Sequence, residues 1–284
     1  MTVIERAPAK VNLYLDVLGK RSDGFHEIKT VMQEISLADE LVFEFVEGRA
    51  GESLSVIGDP SIPTDGRNLV LRAVEAYRKR SAIDGFLGIT LKKSIPSAAG
   101  LGGGSSDAAA ALRALNKLSP NPLSKSDLLE IAAELGSDVP FFLGSGAAIC
   151  SGRGEIIEPI EPIKNLYSVI VKTDEAVSTP AAYRALDELF CDFLSPRSDD
   201  GREASYKSVL SGNADSIYNV FEPAILPVCK RAAEAKKMML RLGAVSAIMS
   251  GSGPSILGVF PSRELALEAA KKLDGNFDFV ACIE

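Results

Sequence analysis

The chain has 284 residues, above the ~100 to 200 typical of one domain, which leaves one large domain or two packed ones. Hydrophobic residues make up 46% and charged residues 24%, a globular composition that argues against disorder, collagen-like repeats and disulfide scaffolds. The formal net charge of −7 repels polyanions, so nucleic acid and anionic lipid are poor partners, and any anionic ligand needs local help.

Cys150, Cys191, Cys229 and Cys282 are scattered without a CxxC. Neither a zinc cluster nor a redox pair is indicated, and reduced cytosolic thiols are expected. The amino terminus, MTVIERAPAK, lacks the apolar core of a signal peptide. No apolar run reaches the ~18 residues of a membrane span, so a cytoplasmic protein is expected. His26 is the only histidine, which removes multi-histidine metal sites and makes any Ser-His-Asp triad depend on that one residue.

In chain order, residues 10–17, KVNLYLDV, alternate with period two. Val11, Leu13, Leu15 and Val17 face one way, and Lys10, Asn12, Tyr14 and Asp16 the other. Asp23-Gly24 marks a turn before two strand-like runs, HEIKTVMQEISL and LVFEFV. Asn68 suits the cap of the helix LVLRAVEAYRKR, whose cations gather at its carboxyl end. GITLKKSI reads as a strand, a glycine-rich loop follows, and DAAAALRALNKL is a run of strong helix formers. Residues 127–135 form a further helix closed by Gly136, which puts Asp138 just beyond its carboxyl end.

A second unit starts near residue 153. It holds a strand YSVIVKT, a helix around 180–190, a weakly patterned stretch over 192–215 and a long helix over about 223–241. Strands AVSAIM and SILGVF, a helix RELALEAAKKL and a last strand DFVACI complete it. That order resembles a split βαβ sandwich and predicts an α+β protein of two packed domains, 1–152 and 153–284.

The sharpest local feature is IPSAAGLGGGSSDAAAAL, where Gly100, Gly102, Gly103 and Gly104 lie between a strand and a helix. Missing Cβ atoms let a large group approach backbone. Ser105 and Ser106 then open the helix, whose unpaired N–H groups and positive dipole end suit a polyphosphate. A glycine linker or tight turn is the plainer alternative, although linkers seldom lead straight into so committed an alanine helix. Neither GxxxxGK[ST] nor GxGxxG fits.

The block instead resembles the second motif of the GHMP kinase superfamily, Pro-x3-Gly-Leu-Gly-x-(Gly)-Ser-Ser, through Pro96, Gly100, Leu101, Gly102, Ser105 and Ser106. An amino-terminal PAKVNLYLDV and a carboxyl-terminal MSGSGPSILGVF agree with it. Within the superfamily, PAKVNLYLDVLGKRSDGFHEI together with LGSDVPFFLGSGAA is similar to the branch acting on 4-diphosphocytidyl-2-C-methyl-D-erythritol in the non-mevalonate isoprenoid pathway. The resemblance implies a ribosomal-S5-like amino-terminal domain, a ferredoxin-like (split-βαβ) carboxyl-terminal domain and an active site between them. It also implies ATP- and Mg²⁺-dependent phosphorylation of the 2-hydroxyl, giving the 2-phosphate and ADP. Rival readings are a homoserine- or mevalonate-type kinase and a catalytically silent ligand sensor on the same fold. The GFHEI segment favours the cytidylyl substrate over the former, and the presence of Lys10 and Asp138 favours an enzyme over the latter.

The resemblance further implies a catalytic pair, Lys10 and Asp138. Taken alone, Lys10 is a cation on the polar face of a strand, and Asp138 is a turn aspartate where a helix dipole disfavours an anion and a compensating cation is wanted. For the cytidine end the resemblance implies Phe25, His26 and a second aromatic at Tyr183. The usual family residue at position 25 is tyrosine, and phenylalanine keeps the ring but loses the hydroxyl; core packing is its plainer role. Asn12 and Thr179 correspond to residues contacting methylerythritol, although Thr179 also suits a helix cap. For nucleotide, Lys93, Asn68, Gly103 and Gly104 join the motif residues, and Gly251 and Gly253 bring a second backbone turn to the phosphates unless they form a plain hairpin. Ser106 is a candidate Mg²⁺ ligand with no evident carboxylate partner, so the metal ligands stay unknown. A homodimer is compatible with the sequence but not readable from it.

Overall fold

The structure is a computed structural model that describes residues 1–144, 146–190 and 202–283. Two compact units divide the chain discontinuously. The first comprises Met1–Ala9, Leu37–Ile95 and Gly102–Gly146, and the second Lys10–Ser36, Pro96–Leu101 and Ala147–Glu284.

Two long strands open the chain, β1 (Thr2–Lys20) and β2 (His26–Val46). The two runs read separately as HEIKTVMQEISL and LVFEFV are one continuous strand. The polar stretch between them does not break it because Asp39, fully buried, has its charge met inside the fold: its carboxylate accepts from the backbone N–H groups of Ser94 and Ile95 at 2.6 and 2.9 Å. Paired charges are tolerated where lone ones are expelled.

In the first unit, the carboxyl-terminal half of β2 pairs antiparallel with β4 (Phe86–Lys92), and β4 pairs parallel with β3 (Glu52–Ile57). The helices are α1 (Leu69–Arg80), α2 (Gly103–Leu118) and α3 (Lys125–Leu135). Asn68 caps α1 as expected, its side chain accepting from the Val70 N–H at 2.9 Å. Ser124 and Asp127 form a capping box on α3. Gly136 does end α3, but in an extended conformation, φ 168°, that demands no glycine. A short 3-10 helix, Pro140–Leu143, follows Asp138.

In the second unit, the amino-terminal half of β2 pairs with β5 (Ala147–Gly152), which pairs with β6 (Ile156–Pro159). β1 pairs in parallel with the two-residue β8 (Tyr218–Asn219). A separate antiparallel sheet has the order β11 (Phe279–Ile283), β7 (Ser168–Lys172), β10 (Ile256–Val259), β9 (Ser246–Met249). Taken in chain order, the neighbours run fourth, first, third, second. With α4 (Thr179–Leu189) and α7 (Lys230–Arg241) between β7 and β9, and α8 (Arg263–Leu273) between β10 and β11, this is the expected split βαβ arrangement. Its core joins Val169, Val171, Ile256 and Met249 of the sheet to Met239, Ala266 and Leu273 of the helices.

Two expectations are corrected here. The long helix over 223–241 is divided into α6 (Glu222–Ile225) and α7, because Pro227 lies between them and cannot continue a helix. The weakly patterned stretch contains α5 (Arg202–Leu210), while its residues 192–201 lie outside the described residues, as does Cys191. Tertiary contact replaces the missing amphipathic signal in α5. Tyr206 packs on Tyr14 with ring centroids 5.2 Å apart, Lys29 Nζ lies 3.4 Å from the Tyr206 ring centre, and Arg202 meets Asp16 at 3.3 Å.

Candidate active site

Alternation along β1 places Lys10 and Asn12 on one face, as the sequence requires, but that face is not solvated. Lys10 is 5% exposed and Asn12 3%. Lys10 Nζ donates to Asn12 Oδ1 at 2.6 Å, Asn12 Nδ2 donates to Thr30 Oγ1 at 2.8 Å, and Thr30 Oγ1 donates to the Tyr14 carbonyl at 2.6 Å. The chain holds an ammonium group in one orientation, so Lys10 is more than a solvated cation on the polar face of a strand. Thr30, absent from the sequence reading, was detectable only through the period of β2 combined with strand register.

Within the same unit the glycine loop and the SGSGPS turn meet this face. The Lys10 N–H donates to the Leu101 carbonyl at 2.9 Å. Gly100 has φ +71°, and a Cβ there would stand 2.5 Å from the Ser250 carbonyl oxygen; one on Gly251, φ +61°, would stand 3.2 Å from the Gly100 carbonyl oxygen. Two backbones thus approach where no side chain fits. Asn219 Nδ2 donates to the carbonyls of Met249 and Gly251 at 2.6 and 2.8 Å. It fixes the second turn, and no sequence signal pointed to it.

At the far end of β1 and β2 lie Phe25, His26 and Tyr183. Phe25 is 53% exposed with the Arg153 guanidinium 4.8 Å from its ring centre, so core packing does not account for it. His26 stacks on Tyr183 with centroids 4.6 Å apart. Thr179 does not cap α4. Ser178 does, accepting from the Ala181 N–H at 3.3 Å, which leaves the Thr179 hydroxyl to pair with Ser252 Oγ at 3.0 Å.

In the first unit, α2 begins at Gly103 with Gly102 in the left-handed conformation, φ 72°. The two serines therefore sit at its third and fourth residues and do not open it, and the N–H groups at the tip belong to Gly103, Gly104 and Ser105. Ser106 Oγ is buried without a hydrogen-bond partner among the described residues. Lys93 Nζ bridges Asp39 at 2.5 Å and Asp107 at 2.8 Å, and a Cβ on Gly103 would lie 3.3 Å from that Nζ. Burial, together with the charge of Asp39, pushes the Asp107 carboxyl up to about 7, against the opposing pull of Lys93. Burial works against the Lys93 ammonium, but its two carboxylates outweigh that and raise its pKa. Asp39 was missed in the sequence because acidic residues inside a strand read as a break. Asp138 lies in the turn between α3 and the 3-10 helix of the same unit.

The family model described as GHMP kinases N terminal domain matches residues 68–146, and that described as GHMP kinases C terminal matches residues 203–278. Over 276 residues the chain is 43% identical to the 4-diphosphocytidyl-2-C-methyl-D-erythritol kinase of Pelotomaculum thermopropionicum, covering 96% of this chain and 94% of that protein. The chain belongs to the 4-diphosphocytidyl-2-C-methyl-D-erythritol kinase family. A crystal structure of 4-(cytidine 5'-diphospho)-2C-methyl-D-erythritol kinase aligns with a TM-score of 0.83 at 33% identity, covering 99% of this chain and 98% of that one. A homoserine kinase from Cytophaga hutchinsonii aligns at 0.74 with 23% identity, covering 100% of this chain and 94% of that one, which shows the shared GHMP fold alone. Within the 4-diphosphocytidyl-2-C-methyl-D-erythritol kinase family, this chain is an ATP-dependent small-molecule kinase of the isoprenoid pathway.

Proposed function

We propose that the protein transfers the γ-phosphoryl group of ATP to the 2-hydroxyl of 4-diphosphocytidyl-2-C-methyl-D-erythritol, with Lys10 and Asp138 as the catalytic pair. The observation that carries this reading is the meeting, inside one unit, of the Lys10–Asn12 face, the Gly100–Leu101 backbone and the Ser250–Gly251 turn. Three motifs far apart in sequence converge on a buried ammonium group beside bare backbone.

Asp138 accepts the proton of the substrate hydroxyl, and Lys10 stabilises the developing charge. Because the transition state of phosphoryl transfer is loose, alignment outweighs base strength, and positioning supplies roughly 7 to 11 kcal/mol of the barrier reduction. The weak basicity of aspartate is then no obstacle. Asn12 and Thr179 orient the methylerythritol hydroxyls, while Phe25, His26 and Tyr183 hold the cytosine. Stacking on an aromatic contributes about 1 to 3 kcal/mol per base.

For ATP, the tip of α2 at Gly103, Gly104 and Ser105 takes phosphate oxygens, and Pro96, Gly100, Leu101, Gly102, Gly251 and Gly253 are the other nucleotide residues of the proposal, the glycines offering bare backbone. Asn68 sits toward the adenosine. Lys93 carries two carboxylates, so its role is to position the loop as well as to offer a remaining N–H. Mg²⁺ suits the site: the Ser106 hydroxyl and Asp107 Oδ1 are buried oxygens without hydrogen-bond partners among the described residues. A hard cation held mainly by phosphate and water needs few protein ligands. Ser106 and Asp107 would hold it, and the ion would neutralise phosphate charge.

The same proposal takes residues 1–152 as the nucleotide half and 153–284 as the second domain. It takes the cytoplasm, where thiols stay reduced, as the location. A coupled ADP-release assay with 4-diphosphocytidyl-2-C-methyl-D-erythritol, mevalonate and homoserine, each separately, tests the function. Turnover of the first alone is expected, and turnover of only a rival substrate overturns the reading.

A further inference from the structure

The chain contains one histidine, and it is held on two axes by a single helix. Tyr183 and Asp187 stand one turn apart on α4, so they share a face. Tyr183 stacks on the His26 ring with an interplanar angle of 25°. Asp187 Oδ1 lies 2.7 Å from His26 Nε2, and the His26 side chain is only 8% exposed. The other oxygen of Asp187 accepts from Lys20 Nζ at 3.0 Å, and Tyr183 is braced edge-on against Phe221 at 4.9 Å. The stack fixes the plane of the imidazole, and the carboxylate fixes its rotation within that plane.

We propose that Asp187 is a positioning residue for His26 and thereby sets selectivity for a cytosine-bearing over a uracil-bearing substrate. This rests on the reading that His26 meets the cytosine. Burial acts to raise the Asp187 carboxyl, but the hydrogen bonds from His26 and Lys20 outweigh it and hold the group below its usual range. An ionised carboxylate only accepts, so Nε2 must carry the proton, and in the neutral ring Nδ1 is then an acceptor. Cytosine presents an amino donor at the position where uracil presents a carbonyl acceptor. An acceptor held in one orientation favours the former and opposes the latter.

Two measurements test this. With 15N-labelled histidine, the single imidazole reports its tautomer directly: the free enzyme is expected to show the Nε2–H form, with loss of that preference in Asp187→Ala. A dominant Nδ1–H form in the parent overturns the proposal. In steady-state assays, Asp187→Asn and Asp187→Ala are expected to raise KM for the cytidylyl substrate about tenfold or more, the loss typical of a hydrogen bond to a charged group. The KM for ATP should stay near the parent value, kcat should change less than KM, and preference over the uridylyl analogue should fall. In a His26→Ala background, Asp187→Ala should add little. If His26→Ala raises that KM but the Asp187 variants do not, the proposal alone is overturned. If His26→Ala leaves it unchanged, the cytosine reading fails and takes the proposal with it.

Discussion

At Lys93 the balance of charge decides what the residue does. One buried cation faces two buried carboxylates, so the cluster carries a surplus negative charge unless a proton is bound. Burial and the charge of Asp39 push Asp107 up to about 7 from its ordinary 3.8, which makes it the carboxyl whose protonation relieves that surplus. Its folded-state pKa is raised, so between those values the folded protein binds more protons than the unfolded chain, and stability falls as pH rises through about 7. Asp107→Asn removes this cost, so the Tm of the variant relative to the parent should rise between pH 5 and pH 8 as read by calorimetry. A difference that stays flat with pH would place the proton elsewhere. For catalysis, Asp138→Asn should keep the KM of both substrates near the parent values and lower kcat by about 10² to 10⁴, the contribution of a general base. Near-normal turnover would remove Asp138 from the chemistry.

Among the elements, α1 shows one side chain carrying two duties. Asn68 Oδ1 caps the helix, and its Nδ2 donates to the Pro63 carbonyl at 2.8 Å. Asn68→Ala should cost about 1 kcal/mol in stability, measured by chemical denaturation, and Asn68→Asp should recover most of it because the capping oxygen is kept. If KM for ATP rises in both variants, the residue also serves the nucleotide; if it rises in neither, capping is its whole role. Elements with local signals were legible in the sequence: the capped helices α1 and α8 have the bounds that their periodicity predicts. The strands missed were β3, β5, β6 and β8, each of two to six residues. Such strands lack a pattern long enough to read, and partners distant in sequence specify them.

For the molecule as a whole, a net charge of −7 opposes the approach of ATP and of a diphosphate-linked substrate alike. Lys93 is already matched by carboxylates and adds little to the outer field. Long-range steering should therefore be absent or adverse, and kcat/KM for ATP should hold steady or rise as monovalent salt increases from low to physiological ionic strength. A steep fall would reveal a local positive field strong enough to outweigh the total.

What the sequence determined by itself was chemical inventory and local geometry: a glycine-rich loop leading into an alanine helix, a strand whose alternate residues are Lys10 and Asn12, and a single histidine beside an aromatic. Those follow from interactions within a few residues. Tertiary structure alone decided that Thr30 hydrogen-bonds Asn12, that Asn219 holds the SGSGPS turn, that Asp39 is buried and paired, and that Asp187 reaches His26. Each of these depends on contacts between residues 18 to 161 positions apart. The free energy of a buried polar group is set by the partner it meets, and no local pattern encodes that partner.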